Sequence, residues 1–260
     1  MCLLIFAHRV AARYPLLVAA NRDEFHARPT SAAQFWEQYP HLLAGRDDEQ
    51  GGTWMGTTTD GRFAAITNYR DPARTAPAPR SRGELPLSYL TGRDSPQHYL
   101  EQLQANAAQY AGFNLLLGDG KEMWYFSNSD LPGNGAPQRL APGVYGLSNA
   151  RLDTPWPKVN LGKRKLQALL QQGHTPDHDS LLQLVNNRDQ ASPEQLVRQG
   201  MGSEMDQLLS AQFILTGSYG TRSSTTMWYD DAGYCHWREL SFNASGALHT
   251  TRETSFQQSG

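Results

Sequence analysis

Met1-Cys2-Leu3-Leu4-Ile5-Phe6-Ala7 opens the chain as a short apolar run with a thiol at its second position. The run has the composition of a buried strand. Two readings of Cys2 stand side by side. In one it is a small core residue, as free cysteines commonly are. In the other, loss of Met1 leaves Cys2 with both a thiol nucleophile and a free α-amine. An amino-terminal amine has a reference pKa of ~7.7–8.0, so part of it is neutral near pH 7 and can take the thiol's proton.

After the turn-like Arg13-Tyr14-Pro15, Leu16–Ala20 is apolar again, and the polar cluster Asn21-Arg22-Asp23-Glu24-Phe25 follows directly. Short strands are expected at Leu42–Gly45 and Thr53–Thr57. Another, Arg62–Thr67, follows the hairpin signal Asp60-Gly61. Gly51-Gly52 before Trp54 marks a backbone that needs positive φ or approaches something closely. Residues 69–83 form a Pro- and Arg-rich loop carrying Arg70, Arg74, Arg80 and Arg82. It reads either as solvated surface or as a mobile basic rim for an anionic ligand, since guanidinium forks suit carboxylates and phosphates.

Helices are expected at Glu84–Thr91 and from Pro96 to about Gln109, the latter capped by Ser95. A longer one should run from Pro157 to Gln172 and stop at Gly173, with shorter ones at Asp179–Asn187 and Ser192–Gln199, the last followed by Gly200. Strands are expected at Phe113–Leu117, Met123–Phe126, Val144–Leu147, Phe213–Leu215, Ser223–Tyr229, Tyr234–Phe242 and Ala247–Phe256. Strands in hairpin-like groups favour antiparallel sheet over the βαβ repeat. With helices in two groups, the expected class is α+β: a four-layer αββα sandwich of two mainly antiparallel sheets, as a single domain over 1–260. Gly133-Asn134-Gly135-Ala136-Pro137 reads as a loop within it.

The chain has 260 residues, 39% hydrophobic and 18% charged, which is the balance of an ordinary globular protein able to bury a core. A net charge of -2 argues against nucleic acid as a partner. Two cysteines make no disulfide framework, and Cys235 reads as core. No segment approaches the ~18 apolar residues of a membrane span. The start lacks a basic n-region, and Asp23-Glu24 come too early for a transit peptide. A cytoplasmic location is therefore expected, with the thiol staying close to the amino terminus. The eight histidines form no H-E-x-x-H, and Gly217-Ser218-Tyr219-Gly220-Thr221 lacks the lysine of a phosphate loop. No metal centre is expected. His8 and His26, nearest to the polar cluster, are the candidates for an axial ligand.

The candidate site is Cys2 with polar residues stationed at strand ends: Asn21, Arg22 and Asp23, then Asn68 and Arg70, Asn149, and Arg222. Asp23 can hold the α-ammonium of Cys2. Arg22 or Arg222 can lower the thiol pKa. Asn149 can offer its amide to an oxyanion.

At these residues the chain resembles the NRDE family, that of the transport and Golgi organisation protein 2. The resemblance rests on the opening Met-Cys, Asn21-Arg22-Asp23-Glu24, Gly52-Thr53-Trp54-Met55-Gly56 and Thr67-Asn68-Tyr69-Arg70. It continues in Gly146-Leu147-Ser148-Asn149, Leu152-Asp153-Thr154-Pro155-Trp156-Pro157-Lys158-Val159, and Tyr219-Gly220-Thr221-Arg222-Ser223-Ser224. It implies a role in intracellular haem trafficking and homeostasis, and more loosely in lipid metabolism and Golgi organisation. The ligand would be haem or a similar amphipathic anion over Cys2, with no cofactor required.

The pattern is also similar to the N-terminal nucleophile hydrolases of the penicillin V acylase and bile salt hydrolase group. That likeness implies the αββα sandwich and an alternative function, cleavage of an amide or thioester of an acyl compound. Cys2 would be the nucleophile, Asp23 the amine anchor and Arg22 the nearby cation. Asn149 would be an oxyanion donor with Asn68 as the weaker match for a second, and Arg222 would support Cys2. In those hydrolases the Arg and Asp are spaced apart, whereas Arg22 and Asp23 are neighbours. Neighbours on an extended strand point to opposite faces, so both are expected to reach Cys2 only if the segment turns.

Overall fold

Strand β1 (Cys2–Ala11) runs directly into β2 (Tyr14–Phe25), the two apolar runs forming an antiparallel pair. The computed structural model describes residues 2–70, 78–129, 135–173, 175–199 and 201–259. Met1, Arg74, Gly133, Asn134 and Gly200 lie outside them. The remaining strands in chain order are β3 (Thr30–Trp36), β4 (Tyr39–Asp47), β5 (Met55–Thr58), β6 (Phe63–Asn68), β7 (Phe113–Gly118), β8 (Met123–Ser127), β9 (Gln138–Arg139), β10 (Gly143–Leu147), β11 (Leu215–Thr216), β12 (Tyr219–Tyr229), β13 (Tyr234–Phe242) and β14 (Leu248–Gln257). The helices are α1 (Glu84–Thr91), α2 (Pro96–Gln104), α3 (Pro157–Gln171), α4 (His178–Leu182), α5 (Pro193–Val197) and α6 (Glu204–Leu208).

The chain falls into two compact units, each built on one sheet. The first takes residues up to Ala27, Pro142–Ser148 and Leu152–Ser255, with strand order β10-β1-β2-β12-β13-β14 and β11 on the flank of β12. The second takes Arg28–Ala141, Asn149–Arg151 and Phe256–Gly260, with order β3-β4-β5-β6-β7-β8-β9. Neighbouring strands pair antiparallel in both. The α+β class with two antiparallel sheets is thus as expected from the sequence.

In the first unit α3 lies on β1 and β10. The approach is close: a Cβ on Gly162 would stand 2.5 Å from Ile5 Cγ1, and one on Gly146 would stand 2.6 Å from Val159. In the second unit α1 and α2 cover one face of the sheet, where Tyr89, Leu90 and Leu100 join Phe113, Leu115 and Phe126 in an apolar core. Buried Arg62 closes the end of α1, donating to Tyr89 O at 2.8 Å and Asp94 O at 2.8 Å. The Gly51-Gly52 signal resolves into both of its readings. Gly51 has φ +75°, and a Cβ on Gly52 would lie 2.4 Å from the Gly83 carbonyl carbon.

Some elements differ from expectation. β3 and α6 were not foreseen, and the helix expected over Asp179–Asn187 is one short turn, α4. The expected helix to Gln109 ends at Gln104 and resumes as a 3-10 turn, Ala107–Gln109. β12 begins four residues before Ser223, so Arg222 lies inside the strand and does not open it. The basic loop is drawn into the fold where it is described. Arg80 pairs with Glu84 at 2.5 Å and lies over the Tyr110 ring, and Arg82 Nη1 donates to Gly112 O at 3.0 Å. Guanidinium forks near a carboxylate and an end-of-strand carbonyl are captured by them, which removes these two from a mobile rim.

Candidate functional site

Cys2 faces Arg22 across the β1–β2 ladder, and Leu3 faces Asn21. Residues directly opposite in an antiparallel pair share a face of the sheet, so Cys2 and Arg22 stand on one face and Asn21 on the other. Arg22 and Asp23 are buried, at 6% and 3% exposure, while Cys2 keeps partial exposure. Ser148 Oγ, one residue past the end of β10, donates to Cys2 O at 2.8 Å. Burial pushes the Cys2 thiol up, and so does the charge of Asp23. The Asp23 backbone N–H on the sulfur and the Arg22 guanidinium pull it down. Adjacent Arg22 and Asp23 thus both act on Cys2 without a turn in the strand. Arg22 does so from the shared face, and Asp23 through its main chain and its charge.

The opposing strand accommodates this. Between Thr221 and Ser223 the β2–β12 register shifts, pairing Asp23 with Thr221 and Arg22 with Ser223 and leaving Arg222 as the extra residue. Such a bulge re-aims a side chain. The Arg222 guanidinium turns to the end of β2, donating to Phe25 O at 2.8 Å and His26 O at 3.2 Å. Burial, together with the like charge of Arg22, lowers the Arg222 pKa. Tyr219 Oη adds a bond to Asp23 O at 3.0 Å, and Thr221 Oγ1 donates to Asp23 Oδ1 at 2.7 Å. With these two bonds Arg222 clamps the segment that carries Arg22 and Asp23.

Asn21 is taken up by the fold. Its Nδ2 donates to Val185 O and Gln212 O, both at 2.8 Å, and its Oδ1 accepts from Ser224 Oγ at 2.6 Å. These bonds give it an anchoring role. His8 lies six residues along β1, about 20 Å from Cys2 at the usual rise per residue, and is buried between Gly143 and Leu16 in register. His26 N–H donates to Ser218 O at 2.9 Å, and burial and Arg222 hold its imidazole below the usual range.

Asn68, Arg70 and Asn149 belong to the second unit. There Asn149 Nδ2 donates to Asn68 O at 2.8 Å, and Arg70 N–H donates to Asn149 O at 2.7 Å. Asn114, fully buried, ties the same segment down. Its Nδ2 reaches Thr67 Oγ1 and Ala150 O, and its Oδ1 accepts from Tyr125 Oη.

One charged residue of the first unit escaped the sequence reading. Lys158, in the first turn of α3, is 4% exposed, and its Nζ donates to Leu209 O at 2.9 Å. Burial lowers its pKa, and Asp23 and Cys2 act against that. The signal was present: Lys158, Gly162 and Leu166 fall at i, i+4, i+8, the helix's buried stripe. Among the described residues no group of three or more His, Cys, Asp or Glu could hold a metal ion, and no helix is long and apolar enough to cross a membrane.

The first unit therefore carries a thiol at the head of a buried strand, in a setting of one carboxylate and several cations, on an α+β scaffold of antiparallel sheets. The family model described as Transport and Golgi organisation 2 matches residues 1–244, and the chain belongs to this family. It is 35% identical over 261 residues to the mouse Transport and Golgi organization 2 homolog, covering 93% of each chain. It is 34% identical over 273 residues to the human homolog, covering 98% of each. It is 26% identical over 262 residues to the Drosophila melanogaster protein, covering 92% of this chain and 91% of that one. Among solved structures it is similar to a Caenorhabditis elegans N-acylethanolamine-hydrolyzing acid amidase ortholog (TM-score 0.47, 11% identity, 87% and 92% of the two chains). It is also similar to a variant of the conjugated bile acid hydrolase of Clostridium perfringens (TM-score 0.44, 10% identity, 99% and 98%).

Proposed function

We propose that this protein is an N-terminal cysteine hydrolase, cleaving an amide or thioester of a small amphipathic acyl compound in the form whose first residue is Cys2. The observation that supports it most is the pairing of Cys2 with Arg22, with the Asp23 backbone N–H on the sulfur. In this reading the freed α-amine of Cys2 takes the thiol proton and Asp23 anchors that amine. The thiolate attacks the acyl carbon, and the protonated amine returns its proton to the departing amine or thiol. Water then hydrolyses the thioester to Cys2, releasing the acid and restoring the thiol. Arg22 favours the thiolate. Intact mass of the protein from its own cells, a Cys2→Ser variant and labelling by an electrophilic acyl probe test it. Retention of Met1, or equal labelling of the variant, sinks it.

A second reading is binding and handling of haem or a similar amphipathic anion, as part of intracellular haem trafficking. It is favoured by the direction of the Cys2 pKa, pushed up by burial, which disfavours the thiolate. Arg22, Arg222 and Lys158 would match the carboxylates of such a ligand. Haem titration of the wild type and of Cys2, His8 and His26 alanine variants separates the readings. No spectral change in the wild type ends this one. The site is assigned to the cytoplasm in both readings, with no nucleic acid involved.

A further inference from the structure

In the ladders of the first unit Cys2 pairs with Arg22, Arg22 with Ser223, and Ser223 with Ser241. Residues directly opposite share a face, so a thiol, a guanidinium and two hydroxyls form one row across β1, β2, β12 and β13. Two strand spacings, about 10 Å, separate Cys2 from Ser223. The next residue confirms the facing. Ser224 points to the opposite face, where its Oγ donates to Asn21 Oδ1 at 2.6 Å.

Ser223 is 5% exposed, and its Oγ is buried with no hydrogen-bond partner. The other hydroxyls of the stretch Thr221–Thr226 are all engaged. Thr221 Oγ1 donates to Asp23 Oδ1 at 2.7 Å, and Ser224 donates to Asn21. Thr225 Oγ1 donates to Glu239 Oε2 at 3.4 Å, and Thr226 Oγ1 lies 2.8 Å from His178 Nδ1. A buried hydroxyl without a partner loses its bonds to water and gains nothing in return. Alanine would fill the same place in the strand without that loss. Buried polar groups are satisfied almost everywhere in folded proteins, and an exception on the face that carries Cys2 and Arg22 marks a bond that a ligand completes.

We propose that Ser223 is a specificity-determining residue: its hydroxyl, next to Arg22 in the row, binds a second carboxylate at the far end of the acyl chain whose carbonyl Cys2 attacks. The chemistry of the row selects that group. A guanidinium carries donors only, and it repels a cation. The group that completes the Ser223 bond is therefore an acceptor, and an anionic acceptor forms the stronger bond. The substrate class is the monoamide or monothioester of a dicarboxylic acid whose ends lie about two strand spacings apart. This rests on the reading of Cys2 as the thiol that accepts the acyl group, while binding of the free acids tests the subsite without turnover.

The probes are suberate, with a carboxylate at each end of its chain, and octanoate, of the same length with one. Calorimetry reads their binding to the wild type and to Ser223→Ala. The wild type should bind suberate about tenfold tighter than octanoate, and Ser223→Ala should cut that preference to about twofold. The free variant should melt at the wild-type temperature or about 2–4 °C above it, because it sheds an unmet hydroxyl. A wild type with no preference for suberate overturns the proposal, and so does a preference that survives in Ser223→Ala. A variant that melts lower, or does not fold, shows that the hydroxyl is bonded within the free protein, which overturns it as well. Mono-p-nitrophenyl suberate and p-nitrophenyl octanoate separate this inference from the Cys2 reading. Acylation of Cys2 by both esters, with equal binding of the two acids, leaves the Cys2 reading intact and overturns the Ser223 subsite. A suberate preference that Ser223→Ala abolishes, with no acylation of Cys2 by either ester, ends the Cys2 reading and keeps Ser223 as a carboxylate site.

Discussion

Cys2 and Arg22 stand opposite each other in the β1–β2 ladder, so the thiol and the guanidinium share one face of the sheet at the head of its first strand. Burial raises the thiol pKa and Arg22 lowers it. Replacing Arg22 by Met should push the thiol further up and leave less thiolate at pH 8. Alkylation of Cys2 by iodoacetamide should slow about 3- to 10-fold, and Arg22→Lys should recover most of the rate. Mass spectrometry of the Cys2 peptide reads it, with fully buried Cys235 as the unreactive internal control.

Asn21 is expected to matter for stability more than for ligand. Asn21→Leu strands the carbonyls of Val185 and Gln212 and the hydroxyl of Ser224 in the interior. The cost should be about 2–4 kcal/mol, read from urea unfolding. Thiol reactivity measured on the fraction still folded should change little.

His178 gives the fold a pH dependence. Its Nδ1 lies 2.8 Å from Thr226 Oγ1 and its ring 4.5 Å from that of Trp228. Burial, then the charge of Arg238, lowers its pKa to about 4. The unfolded chain binds this proton near pH ~6.5, so the contribution is full above that pH and is lost as pH falls from ~6.5 to about 4. The loss should approach about 3 kcal/mol. Unfolding measured between pH 7 and pH 4 should show a shallower slope in His178→Phe.

Gly162→Ala sets helix propensity against packing. Alanine in a helix interior is favoured by about 1 kcal/mol, but its Cβ would meet Ile5 Cγ1 at 2.5 Å and Leu184 O at 3.0 Å. Overpacking of this kind costs about 1–3 kcal/mol, so a net destabilisation of up to about 2 kcal/mol is expected. A rise in melting temperature would show that α3 can shift away from β1.

Much of the architecture was legible because it is local. An apolar run followed directly by Asn21-Arg22-Asp23-Glu24 marks a buried strand ending in polar chemistry, and Ser95-Pro96 marks a helix start that the structure keeps. β3 was missed because Thr30–Trp36 has mixed exposure and weak alternation. α4 was overextended because its residues continue in turns after Leu182.

By itself, the sequence determined the strand character of residues 3–7 and 16–20, the grouping of strands into antiparallel hairpins, and the presence of a thiol one residue from the start of the chain. Local periodicity and side-chain chemistry suffice for that. Only the tertiary structure decided which charges surround the thiol. The one-residue bulge opposite Arg22 and Asp23 comes from a strand about two hundred residues later, and it sends Arg222 to the end of β2. The seating of α3 buries Lys158 in the first turn of the helix. Register between distant strands and the depth of a helix on a sheet are set by pairing and packing across the whole fold, which no short window of sequence contains.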